Sequence, residues 1–574
     1  MGASPEERAV EARIVSRLHR LYGDVVGERT ARRLLARLAR HERRGALGDP
    51  RARRLPFDQR DVVLITYGDS LRREPDPPLA ALRGFVRARL RGLVSTIHLL
   101  PFFPFSSDDG FAVIDFERVD AALGTWQDVE ALGRDVRLVF DFVLNHVSSA
   151  SPWLESYLRG ERPLCIAVDP QVDLSAVTRP RALPLLTAFR RPDGTPVHLW
   201  TTFSADQVDL CYAEPDVLLA MIEVMLGYVA RGAAMLRLDA VAYLWKEIGT
   251  SCIHLPQTHE VVRLLRDVLD WVAPGVALLT ETNVPHAENL SYFGDGYDEA
   301  QLVYNFSLPP LCLHALHRGE ATHLTRWAAG LASPSPATTF FNFTASHDGV
   351  GVRPLEGLLP TAEIEALADL ARERGGRVSL RRLPDGGERP YELNVTYVDA
   401  LRGGRDPRGD AHHVPRFLAS QAVALSLPGV PALYIGSLLG SRNWQEGVER
   451  TGAPRAINRE KLALDDVERE LADPGSLRAR VFSGLTRLLA VRTAQPAFHP
   501  GAAMEVLALD PGCLALWRRG SGQSLLCLIN VSDRPVALSL PAKARGMADL
   551  LDGPAPDARG RLTLGPYAVA WLSA

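Results

Sequence analysis

Residues 235–243, MLRLDAVAY, place an arginine and an aspartate two positions apart at the end of an apolar run. Residues two apart in a β-strand point to the same face, so Arg237 and Asp239 would share one side of a buried strand. Burying an unpaired carboxylate is very costly, so Asp239 needs either a close arginine or a cleft that solvent reaches. On this stretch alone, a structural ion pair and a functional carboxylate are equally good interpretations.

Three further apolar runs also contain polar side chains that can take part in catalysis. These runs are 136–146 (VRLVFDFVLNH, with Asp141, Asn145 and His146), 276–283 (VALLTETN, with Glu281) and 338–348 (TTFFNFTASHD, with His347 and Asp348). Four repetitions of one design are improbable as a structural coincidence. Polar residues at the carboxyl ends of successive buried strands are typical of active sites in (β/α)8 barrels, so the sequence predicts an α/β fold of this TIM-barrel kind.

The patterning along the rest of the chain predicts the other elements. The eight barrel strands are predicted at 62–67, 95–100, 136–146, 235–243, 276–283, 302–306, 338–348 and 430–435. Residues 1–60 have apolar residues at helical spacing and an excess of arginine. A basic helix can bind nucleic acid, but the interleaved acids favour an extension that packs on the barrel. From about residue 497, short alternating runs predict a small antiparallel β domain.

Composition excludes several classes of function. The net charge of −3 gives no general attraction to nucleic acid or to anionic membranes. No apolar run is long enough to span a bilayer, and the N-terminus has no apolar signal core. The six scattered cysteines form no CxxC motif, so neither a zinc site nor a redox motif is indicated. We therefore predict a cytoplasmic enzyme, monomeric or homodimeric, that acts on small molecules and has no nucleic-acid or membrane partner.

The four segments resemble, in chain order, the four motif regions of the α-amylase superfamily, glycoside hydrolase family 13. Within that family the chain resembles the sucrose phosphorylase subfamily, on the segments LITYGDSL, HLLPFFPFSSDDGF, GTSC, YELNVTY and AINRE. It is most similar there to the glucosylglycerate phosphorylases, on the segments LSAVTRPRALPLLT, HLWTTFSADQVDL and ETNVPH. The resemblance extends from about residue 61 to the C-terminus.

The resemblance also implies where the barrel is interrupted. The predicted division is 1–60, an N-terminal helical extension; 61–146, 211–349 and 411–496, the catalytic barrel; 147–210, an inserted domain B; 350–410, a second insertion; and 497–574, the C-terminal β domain.

Retaining glycosidic chemistry needs a nucleophilic carboxylate and a second carboxyl that protonates the departing oxygen. The resemblance implies that Asp239 is the nucleophile, Glu281 the acid/base, and Asp348 the residue that holds sugar hydroxyls and stabilises the oxocarbenium-like state. Arg237 would orient Asp239 and favour its charged form. Glu281 must be protonated when attack begins, so we expect its environment to raise its pKa.

The resemblance implies a pocket for a single glucosyl unit. Asp109 would bind hydroxyls at the far end of the glucose, and Phe111 would stack on the ring. His146 and His347 would donate hydrogen bonds to hydroxyls. Arg459 could form an ion pair with Asp109 and close the end of the pocket.

Phosphate needs fixed donors where the leaving group had been. The resemblance to sucrose phosphorylases suggests Arg181, Tyr243 and Tyr391 as those donors. Arg181 and Arg179 lie in TRPRALP, where the prolines restrict the backbone. A planar guanidinium held in this way suits an anion, although the segment could equally be a rigid surface loop, and Arg179 is then the alternative candidate.

The acceptor side departs from the sucrose phosphorylases at two positions. Asn283 stands where they have His, and Glu392 stands where they have Gln, whereas the glucosylglycerate phosphorylases resemble the chain at both. We therefore expect a retaining phosphorylase that uses phosphate as a co-substrate and converts 2-O-α-D-glucosyl-D-glycerate to α-D-glucose 1-phosphate and D-glycerate. The alternatives are a sucrose, sucrose 6-phosphate or glucosylglycerol phosphorylase, and a catalytically inactive amylase-like partner protein. No metal or cofactor is expected, although Asn145 matches a calcium-binding position of many amylases.

Overall fold

The structure is a computed structural model that describes residues 4–41, 43–45, 49–181, 183–382, 387–403 and 410–574. Parts of three predicted divisions, 1–60, 147–210 and 350–410, therefore lie outside the described residues. The bounds of the predicted domains stay predictions, and the elements are given below as the structure has them.

Within the described residues, eight parallel strands close into a barrel in simple chain order. They are β1 Val63–Thr66, β2 Thr96–Leu99, β3 Arg137–Val143, β4 Ala233–Asp239, β5 Ala277–Thr280, β6 Leu302–Tyr304, β7 Thr339–Phe343 and β8 Val430–Tyr434. Seven strands lie within the runs predicted for them, and β4 overlaps its run but begins two residues earlier, at Ala233, which confirms the barrel. These runs are nearly continuous because a parallel barrel strand is covered on both faces.

The register of the strands brings the polar residues to one level. Asp141 on β3 is opposite Arg237 on β4, and Val143 is opposite Asp239. Leu238 on β4 is opposite Thr280, the last residue of β5, so Asp239 and Glu281 leave the barrel side by side. The carboxyl ends of the strands therefore meet at one rim, where barrel enzymes bind their substrates.

Helices follow the strands and cover the outside of the barrel. The α-helices are Pro5–Leu38, Pro78–Phe85, Trp126–Gly133, Pro152–Leu158, Pro215–Ala230, Pro256–Val272, His286–Leu290, Leu308–Arg318, Thr322–Ala329, Thr361–Glu373, Tyr397–Ala400, His413–Ser426, Ile435–Leu438, Gln445–Thr451, Leu464–Leu471 and Leu477–Thr493. Several begin with proline, whose missing N–H costs nothing in the first turn. Among the described residues, no helix combines the length and the apolar composition that a bilayer crossing requires.

Short antiparallel strands build the parts outside the barrel. Between β3 and β4, His146–Ser148 pairs with Gln207–Asp209, and Leu186–Arg190 pairs with Pro196–Trp200. After β7, Glu388–Asn394 pairs with Val350–Gly351 and with Arg377–Arg382. Near the C-terminus, a sheet is formed by Ala503–Asp510, Cys513–Gly520, Gln523–Asn530, Val569–Ser573 and Ala548–Asp549, with a separate pair Val536–Ser539 and Arg561–Leu564. This region is the antiparallel sheet that the alternating pattern predicts.

The first helix, Pro5–Leu38, bends at Gly23 and packs along Pro256–Val272 of the barrel. Ser4 caps it and forms a capping box with Glu7. Its arginines pair with acids of the barrel helix: the Nε of Arg13 lies 2.6 Å and the Nε of Arg17 3.2 Å from the two carboxylate oxygens of Asp267. The excess of basic residues at this end of the chain thus has partners within the molecule.

The bend at Gly23 folds the second half of the first helix back onto the first half, with Gly27 at the crossing. A Cβ on Gly27 would lie 2.6 Å from the Leu18 carbonyl oxygen, whereas a Cβ on the exposed helical Gly84 would meet nothing within 4 Å. We therefore expect Gly27→Ala to destabilise the helical extension by about 1–3 kcal/mol, because the backbone must move apart. Hydrogen exchange across residues 5–38, followed by mass spectrometry, measures this loss of protection.

Gly84→Ala is the matched control, since it makes the same chemical change in a helix without a clash. It should leave the melting temperature unchanged or raise it slightly, because alanine is the better helix former by about 0.5–1 kcal/mol. Equal exchange rates in residues 5–38 for the wild type and Gly27→Ala would contradict the close crossing.

Candidate active site

A cavity of about 740 Å³ opens at the carboxyl ends of the barrel strands. Five carboxylates line it, and they come from five separate segments of the chain. These are Asp108, Asp239, Glu281, Asp348 and Glu392. Of the predicted site residues, the cavity also exposes Phe111, His146, Arg181, Tyr243, Asn283, His347 and Tyr391.

Arg237 forms the floor of the site and joins two strands. Its Nη1 donates to Asp239 Oδ1 at 2.8 Å and also to Asp141 on the neighbouring strand. Asp141 in turn contacts His98 Nε2 at 2.8 Å. The side chain of Arg237 is only 2% exposed, so these contacts fix both its position and the orientation of Asp239. The shared strand face predicted for Arg237 and Asp239 is present.

Burial and neighbouring charges set the protonation of the two central carboxyls. Burial raises the pKa of Glu281 to about 7, Arg237 opposes this shift, and the negative charge of Asp239 adds to it. The backbone N–H of Ala240 donates to Glu281 Oε2 at 3.1 Å. Burial also raises the pKa of Asp239 above its usual value, against the opposing charge of Arg237. Arg237 thus limits the rise of the Asp239 pKa without reversing it. The ion pair lowers this pKa less than we expected.

Asp348 lies beside the stacked rings of His347 and Phe111. The two ring centroids are 4.8 Å apart and nearly parallel, and His347 Nε2 lies 3.4 Å from Asp348 Oδ1. Burial, together with Arg237 and Arg459, holds the pKa of His347 well below its usual value, so the ring is neutral. Its buried Nδ1 has no hydrogen-bond partner within the described residues.

His146 faces the same cavity but its ring nitrogens already have partners. Its Nε2 lies 2.8 Å from the Phe111 carbonyl oxygen and 3.1 Å from Gln207 Nε2, and Nδ1 lies 3.3 Å from Asn145 Nδ2. Donation from His146 to a sugar hydroxyl therefore competes with the Phe111 carbonyl. Gln207 also lines the cavity and was missed by the sequence analysis.

The loop after β2 corrects one prediction, because Asp108 rather than Asp109 lines the cavity. Arg459 Nη1 contacts both carboxylates, at 3.0 Å from Asp108 Oδ1 and 3.2 Å from Asp109 Oδ2. Both aspartates have positive φ, 53° and 49°, so the turn does not follow the alternation of a strand. The tight turn directs Asp108 inward and leaves the side chain of Asp109 36% exposed. The predicted Arg459–Asp109 ion pair is present, but outside the cavity lining.

The excursion between β3 and β4 contributes an arginine and an aromatic ring. Arg181 lines the cavity, with its Nη2 3.8 Å from Asp108 Oδ2 and its guanidinium 5.9 Å from the centroid of Phe203. Phe203 also packs edge-on against Tyr243. Arg179 instead donates to the Leu183 carbonyl and does not line the cavity. No sequence pattern distinguished Phe203 from an ordinary core residue.

The far side of the cavity contains an arginine that the sequence analysis did not select. Arg455 donates from Nε and Nη2 to the two oxygens of Glu392, at 3.0 and 2.6 Å. Its Nη1 lies 2.6 Å from Asp348 Oδ1. Tyr391 precedes Glu392 on the same strand, and Asn283, whose Oδ1 has no partner within the described residues, lies nearby against Gly351. AINRE, which directly follows Arg455, carried the family resemblance and the prediction of Arg459, but the resemblance did not extend to a role for Arg455.

Lys246 contacts Asn145, the residue that the resemblance matches to a calcium-binding position of many amylases. Its ammonium lies 2.9 Å from Asn145 Oδ1 and 2.6 Å from Asp209 Oδ2, and its side chain is buried. Throughout the described ranges, no group of three or more His, Cys, Asp or Glu side chains is arranged to hold a metal ion.

Comparison with known proteins places this geometry in a family. The family model for the α-amylase catalytic domain matches residues 90–330, and one for the C-terminal immunoglobulin-like domain of D-apionate lactonase matches residues 511–572. The chain is 49% identical to the glucosylglycerate phosphorylase of Allomeiothermus silvanus, over 90% of the chain and 91% of that protein. It is 46% identical to the glucosylglycerate phosphorylase of Escherichia coli, over 98% of the chain and all of that protein.

A crystal structure of sucrose 6F-phosphate phosphorylase from Thermoanaerobacter thermosaccharolyticum superposes with a TM-score of 0.72 at 26% identity, covering 82% of the chain and 94% of that structure. The sequence relatives extend over nearly the whole chain, and the solved structure shares its barrel architecture. The chain therefore belongs to the sucrose phosphorylase subfamily of the α-amylase superfamily, glycoside hydrolase family 13, among the retaining glycoside phosphorylases.

Proposed function

We propose that the chain catalyses the reversible phosphorolysis of 2-O-α-D-glucosyl-D-glycerate to α-D-glucose 1-phosphate and D-glycerate. The observation that carries the proposal is the 46–49% identity to glucosylglycerate phosphorylases over nine-tenths or more of the chain. The cavity supports it, because the neighbouring carboxyls of Asp239 and Glu281 and the guanidiniums of Arg181 and Arg455 line the same space at the barrel rim.

In the first step, the Asp239 carboxylate attacks the anomeric carbon of the glucosyl unit. The bond from that carbon to the glycerate oxygen breaks, and Glu281 gives its proton to the departing oxygen. Arg237 supports the attack by holding Asp239 in one orientation, at 2.8 Å from its Nη1. The neutral His347 and the carboxylate of Asp348 hold sugar hydroxyls, and the ring of Phe111 packs on the sugar face. Binding that strengthens only in the transition state raises the rate of this step.

In the second step, a phosphate oxygen attacks the same carbon and displaces Asp239. Glu281, now ionised, accepts the proton of the attacking hydrogen phosphate. Two successive inversions give retention, so the product is the α-configured sugar phosphate. Arg181 and the phenols of Tyr243 and Tyr391, which all line the cavity, would hold the phosphate. Burial raises the pKa of Tyr243 to about 12, so its phenol stays a neutral donor.

The order of these steps follows from the charges in the cavity. Five carboxylates would repel an incoming phosphate. Esterification of Asp239 removes one negative charge, but ionisation of Glu281 restores it, so the charge in the cavity becomes less negative only when the anionic D-glycerate leaves. Phosphate is therefore admitted most easily after the first acceptor has left.

Other members of the subfamily act on sucrose, sucrose 6-phosphate or glucosylglycerol, and these remain the second choice. The sucrose 6F-phosphate phosphorylase is only 26% identical, against 49% for a glucosylglycerate phosphorylase. A catalytically inactive partner protein is disfavoured because Asp239, Glu281 and Asp348 all line the open cavity.

We further propose a cytoplasmic enzyme, monomeric or homodimeric, that uses no cofactor besides the co-substrate phosphate. Support for the compartment comes from the cysteines, since Cys165, Cys211, Cys252, Cys312, Cys513 and Cys527 are all free thiols. A reducing compartment keeps such thiols unpaired.

The choice of acceptor is the most direct test of the proposal. We expect D-glycerate to be the preferred acceptor when α-D-glucose 1-phosphate is the donor, with glycerol much poorer because charged donors would be left unpaired. Initial phosphate release with D-glycerate, L-glycerate, glycerol and fructose in parallel measures the preference, and NMR of the product tests for the α-linkage. A higher kcat/KM for fructose or glycerol, or a β-linked product, would reject the assignment.

Replacing Arg181 should separate phosphorolysis from hydrolysis. In Arg181→Ala we expect the KM for phosphate to rise by roughly 10- to 100-fold, because one charged hydrogen bond contributes about 1.5–3 kcal/mol. Water should then intercept more of the glucosyl-enzyme, so the ratio of free glucose to glucose 1-phosphate should increase. Arg179→Ala is the matched control in the same loop, and an equal change in both variants would show that the loop, rather than Arg181, is responsible.

The raised pKa of Glu281 predicts an alkaline limb in the pH profile. Formation of the glucosyl-enzyme needs Glu281 protonated, so kcat/KM for glucosylglycerate should fall as the pH rises through about 7. α-Glucosyl fluoride needs little protonation of its leaving group, so its kcat/KM should lack this limb. Both profiles are measured at saturating phosphate to separate the titration of the enzyme from that of the co-substrate. The same limb with both donors would mean that another group titrates.

A further inference from the structure

Arg455 is held at the junction between two carboxylates that serve different parts of the site. Its Nε and Nη2 grip both oxygens of Glu392 at 3.0 and 2.6 Å, and its Nη1 reaches Asp348 Oδ1 at 2.6 Å. A fork-to-fork contact of this kind fixes the plane of the guanidinium. Glu392 is 2% exposed, so this carboxylate is buried against the arginine rather than turned toward solvent.

The guanidinium keeps donors that these two carboxylates do not use. An arginine has five N–H groups, and the two hydrogen bonds to Glu392 use one on Nε and one on Nη2, whereas the contact of Nη1 with Asp348 is an ion pair without hydrogen-bond geometry. These two carboxylates therefore leave N–H groups on both terminal nitrogens, and 21% of the side chain of this cavity-lining residue remains exposed. This edge can therefore bind a further anionic oxygen pair.

The charges of the lining leave few places where an anion can bind. Among the described residues, the cavity lining contains five carboxylates and two guanidiniums, those of Arg181 and Arg455, so an anion is attracted only next to one of these two cations. Arg181 comes from the excursion and lies beside Asp108 at 3.8 Å, whereas Arg455 is fixed beside Glu392 and Asp348. The two cations are therefore two candidate anchors for anions, and both lie close enough to Asp108 to lower its pKa.

We propose that Arg455, clamped by Glu392, binds the carboxylate of the acceptor and thereby selects an acidic acceptor over a neutral one. This inference rests on the proposed function and assigns its specificity to one charge-paired unit. Glu392 does not contact the acceptor anion as a repulsive charge, because both of its oxygens are occupied by Arg455. The contact of Arg455 with Asp348 places the acceptor carboxylate next to the group that holds the glucosyl unit.

The test compares acceptors in a variant that removes both charges of the unit. Arg455→Gln alone would leave the Glu392 carboxylate buried and unpaired. The informative variant is therefore Arg455→Gln/Glu392→Gln, in which both buried side chains are uncharged. With α-D-glucose 1-phosphate as donor, the ratio of kcat/KM for D-glycerate to that for glycerol should fall roughly 10- to 100-fold, mainly through a higher KM for D-glycerate. Arg455→Lys keeps the charge but loses the fork, so its ratio should be intermediate.

Arg450→Gln is the matched control, because Arg450 is an exposed arginine of the same segment that lies over the Trp444 ring. Its ratio should equal that of the wild type. Suppose that the wild type prefers D-glycerate but the double variant keeps its ratio within about threefold of the wild-type value. That result would reject the role of Arg455 and leave the proposed function standing, since a charge-assisted hydrogen bond is expected to contribute more than threefold. A wild type that prefers glycerol or fructose instead overturns the proposed function, and the inference falls with it.

Discussion

The buried contact of Arg237 with Asp141 and Asp239 is the interaction on which the site depends. A guanidinium with 2% exposure inside a barrel would be very unfavourable without compensation, and two carboxylates on adjacent strands provide it. The register of β3 and β4 sets the geometry, because Asp141 is directly opposite Arg237. The same cation limits how far burial raises the pKa of Asp239 and of Glu281. A change at this arginine would therefore alter the nucleophile and the acid together.

The site can be understood as a balance of buried charges that changes during the reaction. In the proposed mechanism, Glu281 starts protonated and ends ionised, while Asp239 starts ionised and becomes an ester. These changes compensate each other, so the total charge near the anomeric carbon stays nearly constant through the first step. Arg181 and Arg455 have a different role in the proposal, because they would select which anions bind in the cavity. In a low-dielectric cavity, a charge attracts or repels a ligand more strongly than the same charge would in water.

The barrel and its central carboxylates could be predicted because their signal is local in sequence. An apolar run ending in Asp239, Glu281 or Asp348 carries both the strand and its functional residue. Loop residues carry no such periodic signal. Asp109 was preferred to Asp108 because the inward direction of the side chain depends on two positive φ angles in one turn. Arg455 was missed because its role exists only once residues 348, 392 and 455 are brought together by the fold.

The Lys246 ammonium joins the excursion to the barrel, since Asn145 follows β3 and Asp209 lies in Gln207–Asp209. If a metal ion joined the excursion to the barrel here, its occupancy would depend on the free concentration of the ion. The strength of the link between the excursion and the barrel would then vary with that concentration. A cation attached by a side chain has no dissociation step and competes with no other ion. One lysine thus links the excursion to the barrel without an ion that must be taken up from the medium.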